Sequence, residues 1–291
     1  MNATAPEPAL KVAFDAALLR RREISSLRAH KDTWQAHAAA NHERVKQQIG
    51  ALWQTANMKT GVLIAAGPSL EASLPEIKAI DRATHEIVCV DMALKFLLDH
   101  GVRPDYVICS DASKEIARTL VSAASADISL LLNVVVDPKT AIDWQGPIYW
   151  YAMMSNVYDK DIGAFMQAAH AQAAGVSSFL VPGGNVSSLG LSFLLGIRAV
   201  PKVLLYGHDF CWTDDNRFYC GGIASDLAAE RLCSEKEAGT VVAMKDSSGK
   251  TVWTNASLVY FKGWCEDQMR LFPGAIVNRT PTTILSQGGI K

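Results

Sequence analysis

From Gly61 onward the chain alternates short, wholly apolar runs with longer helical stretches, and this alternation leaves few folds open. The runs are VLIA (62–65), EIVCV (86–90), DYVICS (105–110), ISLLLNVVV (128–136), PIYWYA (147–152), VSSFLV (176–181) and KVLLYG (202–207). Between them lie LEASLPEIKAI, MALKFLLDHG, KEIARTLVSAA, KDIGAFMQAAHAQAAG and NVSSLGLSFLLGI. A strand covered on one face alternates apolar with polar residues, whereas a strand buried on both is apolar nearly throughout. Parallel strands need long crossovers, which the helical stretches supply. The pattern therefore predicts a three-layer α/β core with a mostly parallel sheet and helices on both faces.

The flanks read differently. Residues 1–59 form an expected helical N-terminal extension. Its first eight residues hold two prolines and no pattern, and Leu10, Phe14, Ala17, Leu18, Ile24 and Leu27 follow at helical spacing. Trp34 and Trp53 are expected to dock these helices on the core, and Arg20, Arg21 and Arg22 to lie on a solvated helix face. The main domain is expected over 60–291, with the α/β core over 60–225 and a closing segment over 226–291. In that segment TVVAMKD-SSG-KTVWTN predicts a hairpin turning at Ser-Gly, and SLVYFKGWCEDQMRLF predicts a helix ended by Pro273 and Gly274.

Composition narrows the function classes. A formal net charge of −1 gives no general attraction to nucleic acid. No apolar run approaches the roughly 20 residues of a membrane span. The N-terminus lacks a basic start before an apolar region, so a cytoplasmic setting is expected. The six cysteines include no CxxC pair. A structural zinc on Cys211, Cys220 and Cys233 is disfavoured by the absence of paired spacing. The N-x-S/T triplets at Asn185, Asn255 and Asn278 are read as chance.

In an open parallel sheet, ligands bind beyond the carboxyl ends of the strands. The residues there are Gly67, Pro68 and Ser69; Asp91; Ser110 and Asp111; Gly183, Gly184, Asn185 and Ser187; and Gly207, His208 and Asp209. Two glycine-rich turns lead into helices, where unpaired N–H groups and the helix dipole favour an anion. Gly67, Pro68, Ser69, Gly183, Gly184, Asn185 and Ser187 are the expected nucleotide-phosphate contacts. The competing reading is that Ser69 and Asn185 only cap their own helices. The phosphate reading requires both turns to face one crevice, clear of the protein's own side chains. Walker A, GxGxxG, nucleophile-elbow and HExxH motifs are absent.

Asp91, Asp111 and Asp209 can gather a Mg²⁺ that screens a pyrophosphate, the one cofactor weighed. One of them can instead bind a ribose hydroxyl or act as a general base, and Asp91 and Asp111 can equally be helix caps. His208, at a strand end, is a candidate for proton transfer. Asp209, His208 and Asp111 are the catalytic candidates.

AAGPSLEASLPEIK, VCVDMALKFLLDHGVRPDYVICSDAS and VPGGNVSSLGLSFLLGIRAVPKVLLYGHDFCWT together resemble a known domain family. It joins the motility-associated factor (Maf) flagellin glycosyltransferases and the archaeal 6-hydroxymethylpterin diphosphokinases, MptE-like. VWTNASLVYFKGWCEDQM and IVNRTPTTILSQGGI resemble its closing stretch, so the likeness spans about residues 50–290. The resemblance implies a Rossmann-like core similar to the bacterial sialyltransferases. It also implies a nucleotide-activated donor, either a CMP-linked nonulosonate sugar or, on the pterin side, ATP with Mg²⁺. On it Gly67, Ser69, Gly184 and Asn185 hold the donor phosphate, while Asp91 and Asp111 lie near ribose or leaving group; Asp91 and Ser110 count among the expected nucleotide contacts. The chain departs from the glycosyltransferase pattern by having no histidine after His208. Its N-terminal part is also shorter than in full Maf proteins, so its acceptor need not be flagellin.

Overall fold

The computed structural model describes residues 16–54, 57–113, 120, 126–154 and 170–286. One eight-stranded sheet contains β1 (Thr60–Ile64), β2 (His85–Val90), β3 (Tyr106–Cys109), β4 (Ser129–Asn133), β5 (Ile148–Met153), β6 (Phe179–Leu180), β7 (Val203–Tyr206) and β10 (Ile276–Asn278). Its order is β10-β7-β1-β2-β3-β4-β5-β6, and every neighbouring pair is parallel. The expected Rossmann-like sheet is thus the one formed. Val62, Leu63 and Ile64 point alternately to opposite faces, yet none is more than 1% exposed, so both faces of β1 are covered.

The helices are α1 (Ala16–Asn41), α2 (Leu70–Lys78), α3 (Asp91–Asp99), α4 (Pro138–Asp143), α5 (His170–Ala174), α6 (Val186–Ser192), α7 (Ser225–Glu237) and α8 (Ala256–Leu271). The chain steps outward from β1 to β6 and returns through α6 to β7, on the other side of β1. Right-handed crossovers then put α2 and α3 on one face and α6 on the other. There α6 packs across β1, β2 and β3. A π-helical turn, Phe193–Ile197, continues α6. The hairpin β8 (Val241–Lys245) and β9 (Thr251–Asn255) is antiparallel, and α8 follows it, as the sequence predicts.

The N-terminal extension is built into the core. Asn41 donates to the carbonyls of Val134 and Val136 at 2.9 and 3.0 Å, and Trp150 N donates to Gln47 O at 2.9 Å. Trp34 packs against the core. Trp53 does not; it is 58% exposed, because the chain leaves its short 3₁₀ turn there. Two expected strands are shorter than their apolar runs. The run over 128–136 turns at Asn133, whose carbonyl accepts from Val136 N. That over 176–181 pairs with β5 only at Phe179–Leu180. The helix expected over 114–124, apart from Leu120, lies outside the described residues. So do the start of the one over 160–175, residues 1–15 and the closing 287–291.

Candidate functional site

The strand order reverses between β1 and β7, and a doubly wound sheet opens a crevice at the carboxyl ends of such a pair. β1 runs into Gly67-Pro68-Ser69 and β7 into Gly207-His208-Asp209, so these two turns face each other across it. They are joined directly. Gly67 N donates to Gly207 O at 3.0 Å. Ser69 N donates to Asp209 Oδ2 at 2.8 Å, and the Ser69 hydroxyl donates to Asp209 Oδ1. Gly67 is required by this closeness: a Cβ there would sit 2.5 Å from Gly207 O and overlap the Asp209 carboxylate. Ser69 therefore does not cap α2 with its side chain. The anion held by this turn is the protein's own.

The second turn comes up to the turn after β7. Asn185, Ser187 and Ser188 line a narrow cleft with His208, although β6 lies at the far edge of the sheet. α6 makes this possible by carrying its N-terminus back over β3 to β1. Asn185 acts as an N-cap here, its Oδ1 accepting from Ser188 N at 2.9 Å and from Ser187 Oγ at 3.1 Å. The glycines lie under α8: a Cβ on Gly183 would overlap the Trp264 ring, and one on Gly184 that of Phe261. The cleft beside them has room of ≈ 10 Å³, about one water. This cleft is lined by His208 but by none of Gly67, Pro68 and Ser69, and both turns are filled by the protein's own side chains in this arrangement, so the open, shared pocket that the phosphate expectation requires is not formed here.

The carboxylates divide into two groups. Asp91 opens α3 at the end of β2 and is 4% exposed. Its Oδ1 accepts from Met92 N at 2.8 Å, and its Oδ2 has no hydrogen-bond partner. Burial raises its pKa from 3.8 to about 7; the Met92 N–H opposes this, the negative charge of Asp111 adds to it, and a hydrogen bond between the Cys109 thiol and the carboxyl group lowers it slightly. Asp111 itself is exposed, and its Oδ1 accepts from Ser113 N at 2.7 Å. Ser110 accepts from Asn133 Nδ2 at 3.1 Å. Asp209, 3% exposed, is also raised by burial to about 7, partly offset by the two Ser69 bonds. The remaining charges acting on it are Asp246 and Arg217, not Asp91. The expected three-aspartate Mg²⁺ site therefore does not assemble. No three His, Cys, Asp or Glu side chains among the described residues could hold a metal, which also removes the zinc reading of the cysteines.

His208 is 4% exposed and held neutral, its pKa lowered by burial to about 4 against the pull of its backbone bond. Its Nδ1–H donates to Tyr206 O at 3.0 Å, which leaves Nε2 as the acceptor nitrogen. Such a group can take a hydrogen bond but is a weak base near neutral pH.

Sequence reasoning missed the groups that cover the crevice. Glu71 accepts from Arg217 Nη1 at 2.9 and 3.0 Å and from Gly221 N at 2.9 Å, tying the loop after β7 to the head of α2. Tyr219, in that loop, lies within electrostatic reach of Asp91 and Asp111. Tyr260, Phe261 and Trp264 of α8 cover the second turn. The acidic residue directly after GPSL is the one local signal that could have drawn attention to Glu71.

Fold and rim define a doubly wound parallel α/β protein with buried carboxylates at the carboxyl ends of β2 and β7, beside the β1/β7 switch point. The chain belongs to the 6-hydroxymethylpterin diphosphokinase MptE-like family, whose model matches residues 36–215. Among solved structures it is similar to a MAf glycosyltransferase from Magnetospirillum magneticum AMB-1, at 15% identity and a TM-score of 0.59. That match covers 88% of this chain and 37% of the other, so this chain spans well under half of that enzyme's length. A glucose dehydrogenase from Haloferax mediterranei aligns at 10% identity over 56% of this chain and 46% of its own, with a TM-score of 0.15. No curated protein matches the sequence.

Proposed function

We propose that this protein is a transferase acting on a nucleotide-activated donor, and specifically a glycosyltransferase moving a sugar, with a CMP-linked nonulosonate as the favoured donor. The observation that carries this reading is Asp91. It is a buried carboxylate at the end of β2, with one oxygen unpartnered and a pKa of about 7. A carboxylate with no structural partner for one oxygen, beside a switch-point crevice, is suited to bind a ribose or acceptor hydroxyl and to take its proton near neutral pH. The fold shared with the MAf glycosyltransferase supports the same class. Ser69, Asn185 and Ser187 are the proposed phosphate contacts once the crevice opens, with Gly67, Pro68, Gly183 and Gly184 as the backbone around them. Asp111 and Ser110 line the donor's sugar side, and His208 contributes an acceptor nitrogen. Asp209 governs access to Ser69. We place the protein in the cytoplasm, a setting that suits six free cysteines, five of them buried. No helix of the described residues is long and apolar enough to cross a membrane.

A second reading, ATP-dependent pyrophosphate transfer to a hydroxymethylpterin, is favoured by the family model over 36–215 and by the proximity of Asp91 to Asp111, two carboxylates that can share a Mg²⁺. Thermal-shift titration separates the two. Stabilisation by CMP or CDP without magnesium supports glycosyl transfer, and stabilisation by ADP or ATP analogues only with Mg²⁺ supports the kinase. No response to any nucleotide would leave a non-catalytic module, consistent with the filled turns.

A further inference from the structure

We propose that residues 213–224 form a strap, closed in this structure, and that Asp209, at its fixed root, is the internal carboxylate which a donor's phosphate replaces on Ser69. The proposal rests on the transferase reading and adds how that site opens and what it takes.

The strap is built from backbone that resists a single relaxed path. Of the four non-glycine residues in the described chain with positive φ, Asn216 (63°) and Ala224 (49°) lie here, and Gly221 and Gly222 add positive φ near its far end. Phe210 (57°) belongs to the root, where residues 208–212 are buried and bonded to Trp253, Thr254, Thr280, Thr283 and Ile284. Side-chain-bearing residues hold such angles most readily where the surroundings over-determine them. The strap beyond this root has fastenings that converge on residues 66–71. Cys220 N donates to Ala66 O at 2.9 Å. At the root, Ser69 holds Asp209 through its N–H and hydroxyl. Glu71 holds Arg217 and Gly221 N. The Glu71–Arg217 pair is over a third exposed on both sides, and such a pair contributes little net stability. It is the fastening most readily released.

Beneath the strap lies Asp91. Ile64 pairs with Cys89 at the end of the β1–β2 ladder, so the segments leading to Ala66 and Asp91 leave the sheet as neighbours. Cys220 is bonded to the first, and Tyr219 lies within electrostatic reach of the second. Lifting the strap would thus uncover complementary groups. Ser69 supplies an N–H and a hydroxyl for a phosphate oxygen, and Asp91 Oδ2, buried and unpartnered, supplies an acceptor for a hydroxyl. A phosphate with a sugar hydroxyl a few bonds away is what a nucleoside phosphate presents. Two features of the site, one for an anion and one for a hydroxyl, are closed by the same segment. A ligand that binds only the open state sees its affinity reduced by the open fraction.

The test is calorimetric titration of the full-length wild type, Arg217→Gln and Asp209→Ala with inorganic pyrophosphate, CMP and ADP, with hydrogen exchange read at Cys220 and Gly221. Arg217→Gln is expected to bind about two- to fivefold tighter than wild type, as release of a weak fastening raises the open fraction, and Asp209→Ala tighter still. Ligand should speed exchange at both amides in the wild type. Unchanged or weaker binding in natively folded variants, or slower exchange at Cys220 with ligand, overturns the strap. Should Asp209→Ala not fold, Arg217→Gln and the exchange data decide alone. Nucleotide binding by wild type with no gain in Arg217→Gln sinks the strap and spares the transferase reading; no nucleotide binding by any of the proteins sinks both.

Discussion

Gly67 and Gly196 are both glycines near the ends of regular elements, but their surroundings are opposite. A Cβ on Gly67 meets the Gly207 carbonyl and the Asp209 carboxylate, while one on Gly196 meets nothing within 4 Å. Gly67→Ala is therefore expected to destabilise the fold by about 1–3 kcal/mol, the usual cost of overpacking a site whose neighbours are backbone. Gly196→Ala should leave the urea midpoint unchanged or slightly raised, since alanine loses less freedom in a helical turn. Equal midpoint shifts in both would show that the β1 turn is not pinned by Asp209. This is also the scale at which the sequence misleads. Ser69 and Asn185 read alike before the two glycine-turn helices, and a cap is a fair expectation for each. Asn185 caps α6; Ser69 instead binds a carboxylate 140 positions away, which no local pattern can reveal.

Among the elements, the junction of β2 with the π-helical turn after α6 carries a buried ion pair. Arg198 Nε and Nη2 donate to the Glu86 carboxylate at 2.7–3.1 Å, and Nη1 donates to Leu52 O at 2.7 Å. Glu86 is 4% exposed and Arg198 9%. Arg198→Ala would leave a buried carboxylate without its partner, a loss of about 3–5 kcal/mol. The double variant Arg198→Met with Glu86→Leu should recover most of that in denaturant unfolding, because the desolvation cost goes with the charges. If the double variant is no more stable than Arg198→Ala, the pair is not what holds this junction. Most elements were legible beforehand: the hairpin from its Ser-Gly turn, α8 from its periodicity, and the parallel strands from their unbroken apolar runs. The N-x-S/T triplet at Asn255 also turns out to mark a buried N-cap, with Oδ1 accepting from Leu258 N at 3.0 Å. β6 was overread, because a half-buried edge offers only two residues a partner.

For the whole molecule, buried titratable groups set how stability varies with pH. Asp91 and Asp209 hold their protons to about pH 7, against an ordinary 3.8, so each makes the fold less stable as pH rises from about 4 to 7. His208 stays neutral down to about 4, against an ordinary 6.5, and so lowers stability as pH falls through that interval. The two carboxyls outweigh the one imidazole, so the wild type is expected to lose net stability as pH rises from about 4 to 7, and each contribution should show when its group is removed. Asp91→Asn is expected to gain on the wild type by about 1.4 kcal/mol per pH unit between roughly pH 4 and 7. His208→Gln should gain on it as pH falls from about 6.5 to 4. Parallel pH profiles of unfolding free energy for wild type and Asp91→Asn would mean that Asp91 is ionised and solvated in the fold.

Sequence by itself settled the layers, the parallel sheet, the hairpin and helix that close the chain, and the set of residues at the strand ends. Those follow from local rules, since burial periodicity and turn chemistry act over a few neighbouring residues. Only the tertiary structure decided what the strand-end residues do to one another. It set Asp209 into the Ser69 turn, laid Trp264 and Phe261 over the second turn, and left one oxygen of Asp91 without a partner. The Asp209 contact and the two ring contacts join segments from 77 to 140 positions apart, brought together by the return of the chain from β6 to β7 across the sheet. Sequence spacing carries no record of that path, because the distance it closes is set by packing.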